Sequence, residues 1–279
     1  VDAFPICLDT QDPEEIIRIV KMIAPTFGGI NLEDIAAPNC FMIEERLRAE
    51  LSIPVMHDDQ WGAATVTLAG LINALALRGL AKEDARVVVN GVGAAGVAIG
   101  RLLLEYGITN IIFCDSKGII HAGRTDLTKE KKELLGGSAL APEEGLLADA
   151  LVGTHVFIGV SKAGALTSDM VGTMAERPII FGLANPTPEI MPDVAREAGA
   201  FIIATGRSDF PNQINNSLVF PGAFQGMLRG NIPQFSNTVF VSIAKALAVS
   251  VESPTPEKIL PSMFDKGVVE LVSKTVQGL

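Results

Sequence analysis

An α/β fold with a doubly wound, mostly parallel sheet, joined to part of a smaller α/β domain, is predicted by three features of the sequence. Short apolar runs alternate with helix-length segments along most of the chain, the pattern of layered α/β proteins. The run Arg86-Val87-Val88-Val89-Asn90 breaks into Gly91-Val92-Gly93-Ala94-Ala95-Gly96, with glycines spaced so that a backbone can turn tightly against a pyrophosphate. A second run, Asn110 to Asp115, ends on a carboxylate about 19 residues after Gly96, close to the roughly 20 expected of a ribose-binding acid. Strand, glycines, helix, strand and acid together read as a Rossmann-type dinucleotide site. A bare strand-to-helix turn leaves Asp115 unexplained.

Taken in order, Phe4-Pro5-Ile6-Cys7-Leu8-Asp9 reads as a core strand. Pro13 to Ile23 reads as a helix opened by Asp12 and Pro13, with acids in its first turn. Gly29 to Glu33 and Ile53 to His57 read as strands flanking an amphipathic helix over Pro38 to Leu51. Gly62 to Leu80 is apolar all round, which predicts a buried helix leading to the nucleotide-binding part near Arg86. After the glycine turn, Val97 to Leu104 has helical length and an apolar face, so free N–H groups at its start favour an anion. Lys129 to Leu135 reads as a solvated helix, and a further helix follows Pro142. Strands over His155–Val160, Pro178–Ala184 and Ala200–Thr205 extend the sheet to about residue 206, and helices dominate from Pro221. The expected division is 1–80, a substrate- and metal-binding remainder with its linking helix, and 81–279, the dinucleotide domain with C-terminal helices.

The net charge of −10 argues against a nucleic-acid footprint, which needs clustered Lys and Arg. Cys7, Cys40 and Cys114 fit no zinc spacing and are expected as buried, reduced thiols. No apolar run is expected to approach the roughly 18 residues that span a bilayer, and no basic stretch precedes an apolar one; a cytoplasmic location and no membrane partner follow. Val1 is not an initiator Met and residues 4–9 already read as core, so a preceding segment is expected.

Two of the strands end in acids, Glu33-Asp34 and Asp58-Asp59. Ligands of open α/β sheets sit beyond the carboxyl ends of strands. Glu33, Asp34 and Asp59 therefore form a candidate oxygen set for Mg²⁺ or Mn²⁺. The alternative is structural: Asp34 caps the next segment, and Asp58 and Asp59 meet the dipole of the following helix. Asn185-Pro186-Thr187 and Asn215-Asn216 offer donors and acceptors for a substrate carboxylate or a carboxamide, or else serve as turn chemistry. His57 is either a base or a structural hydrogen-bond partner. The single Trp, Trp61, and single Tyr, Tyr106, read as packing residues.

The stretches Asp2 to Thr10, Gly28 to Asp34, His57 to Gln60, Gly91 to Gly96, Leu183 to Thr187, and Asn215-Asn216 followed by Phe220-Pro221-Gly222 together resemble the malic enzymes in their shorter bacterial and archaeal form. The resemblance implies oxidative decarboxylation of malate to pyruvate and CO₂ with NAD(P). It implies Glu33, Asp34 and Asp59 as ligands of Mg²⁺ or Mn²⁺, and Asp58 as the residue orienting a catalytic lysine. Asn185 and Asn216 would contact malate; Gly91, Gly93, Ala94, Ala95, Gly96, Asp115 and Asn185 would hold the cofactor. The family's catalytic lysine and tyrosine belong to a segment upstream of the position matching Val1, so neither role falls on this chain. Trp61 and Ala63 replace a small or imidazole side chain and a threonine, and an indole beside the acids is expected to reshape the pocket. Asp115 favours NAD by repelling a 2′-phosphate, while Ser116 and Lys117 leave NADP open. Competing readings are a lyase on the same site, acting on oxaloacetate or converting malate to lactate, and a non-catalytic NAD-binding module. A homo-oligomer is also implied.

Overall fold

The computed structural model describes all 279 residues. Helix α1 (Pro13–Ile23) opens under Asp12, whose side chain accepts the Glu15 N–H at 2.9 Å. Strand β1 (Ile30–Leu32), helix α2 (Asn39–Glu50) and strand β2 (Val55–His57) follow, with β1 and β2 paired in parallel and Leu32 opposite His57. Two short strands bury little by themselves. Ile16, Ile17 and Val20 of α1 and Ile43 and Leu47 of α2 close over Leu32 and Val55 to make a small separate core.

Residues 4–9 do not form the expected strand. They lie outside the two-stranded sheet, with Phe4 and Ile6 exposed; alternating apolar residues need a ladder partner to become a strand, and none is offered. Cys7 is accordingly exposed, against expectation, whereas Cys40 and Cys114 are buried thiols, pushed up by burial to about 11 and about 12.

Helix α3 (Asp58–Arg78) starts earlier than its apolar run suggests and takes both aspartates into its first turn. It corrects the expectation that no segment reaches membrane-spanning length. Its best 18-residue window has a mean hydropathy of 1.3, yet 78% of that window is buried inside the protein. It packs against helices α4 (Ala94–Tyr106) and α10 (Asn237–Val249) in the main core.

The large sheet comprises β3 (Val87–Asn90), β4 (Ile111–Asp115), β5 (Gly118–Ile119), β6 (Val156–Gly159), β7 (Ile179–Gly182) and β8 (Ile202–Thr205), in the order β5-β4-β3-β6-β7-β8. All neighbours are parallel except the short β5, which runs antiparallel to β4. Side chains alternate across a strand, so each strand feeds two cores. Val87, Val89, Phe113, Ile158 and Phe181 face the main core; Val88, Ile112, Phe157 and Ile180 face a second one. The short helices α6 (Leu147–Leu151), α7 (Ser168–Thr173) and α8 (Pro192–Glu197) cover the second face, and α5 (Lys129–Gly137) lies against α4. Strand order reverses between β3 and β6, which opens a crevice at their carboxyl ends.

Helices α9 (Phe220–Gly230) and α11 (Val268–Gln277) complete the main-core side. They cross closely because Gly222 and Gly226 carry no side chain: a Cβ on either would lie 2.6 Å from the Cβ of Val272 or Val276 and 2.7 Å from a backbone oxygen of α11. Backbone cannot yield as a flexible side chain can. Gly226→Ala is expected to cost about 1–3 kcal/mol, read as a lower urea midpoint; an unchanged midpoint would remove the crossing from the fold's stabilising contacts.

Candidate active site

The parallel register of β1 and β2 brings Glu33, Asp34, Asp58 and Asp59 to one end of the small sheet. The Asp34 N–H donates to Asp59 Oδ2 at 2.9 Å, with Asp34 itself in the left-handed region at φ 57°. Partial desolvation, then Asp59 and Asp34, raises Glu33 above its ordinary range. Burial, followed by the charges of Glu33 and Asp59, pushes Asp58 up to about 7. These groups repel one another without a neutralising cation. Even so, no three His, Cys, Asp or Glu side chains converge tightly enough to chelate an ion; the acids are gathered but not closed on one point.

Asp58 is buried and bends back over its own helix, where Oδ2 accepts from Asn216 Nδ2 at 2.7 Å and Oδ1 has no partner. Gly62 makes that bend possible, since a Cβ there would sit 2.0 Å from Asp58 Oδ1. Asn185, by contrast, is exposed beyond the end of β7. His57 is a structural hydrogen-bond partner through its backbone N–H, not through its ring. It is fully buried, neither ring nitrogen makes a hydrogen bond, and its Nδ1 stands 3.9 Å from Asp59 Oδ2.

Trp61 does not wall the acid cluster. Its Nε1 donates to Glu44 at 2.8 and 3.0 Å, and its ring stacks on Phe240 at 5.0 Å. Glu44, a buried acid on the apolar side of α2, also accepts from the His57 N–H and from Gln60 Nε2. It thereby ties α2 to the β2–α3 junction that carries the aspartates. An acid among Cys40, Ile43 and Leu47 was the sequence sign of this role.

At the large sheet the glycine turn is built as its spacing suggests. Gly91 is at φ 103°, and a Cβ on it would meet the Val160 carbonyl oxygen at 2.5 Å; one on Gly96 would meet Gly91 O at 1.8 Å. A Cβ on Gly93 meets nothing within 4 Å, so this face is open to a ligand. Gly93 gives α4 no side-chain cap, which leaves the N–H groups around Ala94 and Ala95 free for an anion.

Asp115 ends β4 but is already engaged. Oδ1 accepts from the Lys117 N–H at 2.9 Å and Arg124 Nη1 at 2.9 Å, and Oδ2 from Arg124 Nη2 at 3.0 Å and Lys131 Nζ at 2.6 Å. Burial alone would raise this carboxyl; the bonds from Arg124 and Lys131 overcome it and hold Asp115 down at about 2. Arg124 also bridges to Asp126. Neither Arg124 nor Lys131 was singled out by sequence spacing, because the loop between them brings them back onto β4 only in the fold.

Two family descriptions match the chain: "Malic enzyme, NAD binding domain" over residues 61–276 and "Malic enzyme, N-terminal domain" over residues 7–48. The chain is 52% identical over 279 residues to the bifunctional malic/malolactic enzyme of Bacillus subtilis, covering 99% of this chain and 68% of that protein. It is 50% identical to the NAD-dependent malic enzyme of Geobacillus stearothermophilus, covering 99% of this chain and 58% of that protein. The crystal structure of NAD-dependent malic enzyme from Thermotoga maritima superposes with a TM-score of 0.95 at 47% identity, over 100% of this chain and 74% of that one.

The Asp115–Arg124 pair predicts an acid-sensitive contribution to stability. A folded-state pKa held at about 2 stabilises the fold above the unfolded value of about 4, and that gain is lost as pH falls from about 4 to about 2. Arg124→Ala is expected to cost up to about 2 kcal/mol near neutral pH, and its deficit relative to the parent chain should shrink over that acid range. Urea unfolding at several pH values checks this; a deficit independent of pH would detach it from Asp115.

Proposed function

Because the chain belongs to the malic enzyme family, we propose that it carries the metal- and dinucleotide-binding parts of an enzyme that oxidatively decarboxylates malate to pyruvate and CO₂ with reduction of NAD(P). The observation that carries the reading is the Asp58–Asn216 bond at 2.7 Å, which sets an amide against the acid cluster. Glu33, Asp34 and Asp59 would hold Mg²⁺ or Mn²⁺. Their hard oxygens and unneutralised mutual repulsion fit such an ion. When bound there, such a cation would supply polarisation of a carbonyl, and the dinucleotide would supply a hydride acceptor.

This chain's own residues do the placing. The free N–H groups opening α4, reached across Gly91, Gly93 and Gly96, receive the pyrophosphate. Asn216 keeps its second N–H and its carbonyl for malate while Asp58 fixes its orientation; Asn185 offers the same groups from the end of β7. Asp58, buried and directed into this cluster, is suited to orient a cationic acid–base group. The division is placed at 1–80 and 81–279, with α3 closing the first part and packing against α4 and α10 of the second.

Both oxygens of Asp115 accept two hydrogen bonds each, so a ribose hydroxyl must displace a partner to reach it. The cations on Asp115 also offset its repulsion of a 2′-phosphate. The proposal is therefore NAD with NADP tolerated, and discrimination smaller than a free acid would impose. A cytoplasmic homo-oligomer is the proposed setting, supported by the exposed apolar side chains of Phe4 and Ile6. A second reading, conversion of malate to lactate, is favoured by one observation, the malic/malolactic name of the Bacillus subtilis relative.

Malate, NAD and Mn²⁺ supplied to the chain, and to a form extended by the family's preceding segment, should yield NADH and pyruvate in at least the extended form. Lactate without NADH would select the second reading, and NAD binding with no product from either form would overturn both. Asp59→Ala should weaken Mn²⁺ binding about 100-fold or more; unchanged affinity in a titration would take Asp59 out of the ligand set.

A further inference from the structure

We propose that Glu189 is a positioning residue for the nicotinamide half of the dinucleotide, an inference that rests on the NAD(P) reading above. Glu189 is completely buried. Its Oε1 accepts from the Ser161 N–H at 2.8 Å and from Ser161 Oγ at 3.1 Å, and its Oε2 accepts from the Ala184 N–H at 3.0 Å. Ser161 Oγ in turn accepts from Asn90 Nδ2 at 2.9 Å. One carboxylate thus ties together the chain just beyond β6 and β7 and, through Ser161, the last residue of β3.

The glycines of these strands are shaped around it. A Cβ on Gly159, the last residue of β6, would lie 2.5 Å from Glu189 Cδ. The adenosine half of a dinucleotide lies on the β4 side of the switch point, where Asp115 ends its strand, so the other half lies over β6 and β7. Ser161 and Ala184 both sit two residues past those strands, and Ala184 directly precedes Asn185. Anchoring them fixes the floor of the nicotinamide side and the approach of Asn185.

Why a carboxylate serves here follows from its partners. Every group bonded to Glu189 is a neutral donor, and an ionised acceptor holds such donors more tightly than an amide does. A buried charge without a cation is costly. The oxidised nicotinamide ring is positive and the reduced ring neutral, so a negative charge beneath this side also favours the oxidised cofactor.

Titration of the chain with NAD and with NADH, read by calorimetry, tests both parts. Glu189→Gln presents an N–H to the Ala184 N–H and removes the charge; it should weaken both dinucleotides about tenfold and NAD by roughly a further fivefold. Ser161→Ala and Glu189→Asp keep the charge and disturb the link, so they should weaken both alike and leave the NAD-to-NADH ratio at the parent value. These two variants decide the positioning role even where Glu189→Gln fails to fold. Parent-like affinities in them overturn the proposal while the NAD(P) reading stands, and an unchanged ratio in folded Glu189→Gln overturns the charge effect. A parent chain that binds neither dinucleotide overturns the NAD(P) reading itself.

Discussion

The placement of the acids depends on a single helix whose body and tip obey opposite rules. The apolar length of α3 is sunk between α4 and α10, and this burial fixes its axis. Its first turn must then hold Asp58 and Asp59 wherever the axis ends, at the carboxyl end of the small sheet. Charged groups so close together would normally be free to move apart in water. Here burial holds Asp58 in place beside the partly exposed Asp59, and the bond from Asp58 to Asn216 ties the segment that leads into the C-terminal helices to the same arrangement.

The molecule treats its acids in three ways. Glu33, Asp34, Asp58 and Asp59 are left to repel one another, which, added to desolvation, raises Glu33 and Asp58. Asp115 is saturated by Arg124 and Lys131 and is lowered. Glu44 and Glu189 are buried and served mostly by neutral donors, which makes them fasteners between elements. The same functional group thus stands among like charges, enters a charge balance, or joins the framework, according to what surrounds it.

Local patterns carried most of the architecture. Val87 to Asn90, the glycine spacing and Ile111 to Asp115 define a strand–turn–helix–strand unit, because each of those signals acts over a few residues. The acid pairs were visible for the same reason. Residues 4–9 misled because alternation encodes a face but not a partner. Asp58 and Asp59 fell outside the predicted helix because apolar content marks a helix body better than its first turn. Arg124, Lys131, Gly62, Glu44 and Glu189 owe their roles to contacts across elements, and spacing along the chain does not encode those, although Glu44 left a trace as an acid on a buried stripe.

The single tryptophan has a practical consequence. Trp61 is 4% exposed, stacked on Phe240 and hydrogen-bonded to Glu44, two residues along α3 from Asp59. Its fluorescence therefore comes from one dry, fixed environment beside the acid turn. Any rearrangement of that turn registers in the emission spectrum without an added label, so the fold carries its own optical reporter at the point where its parts meet.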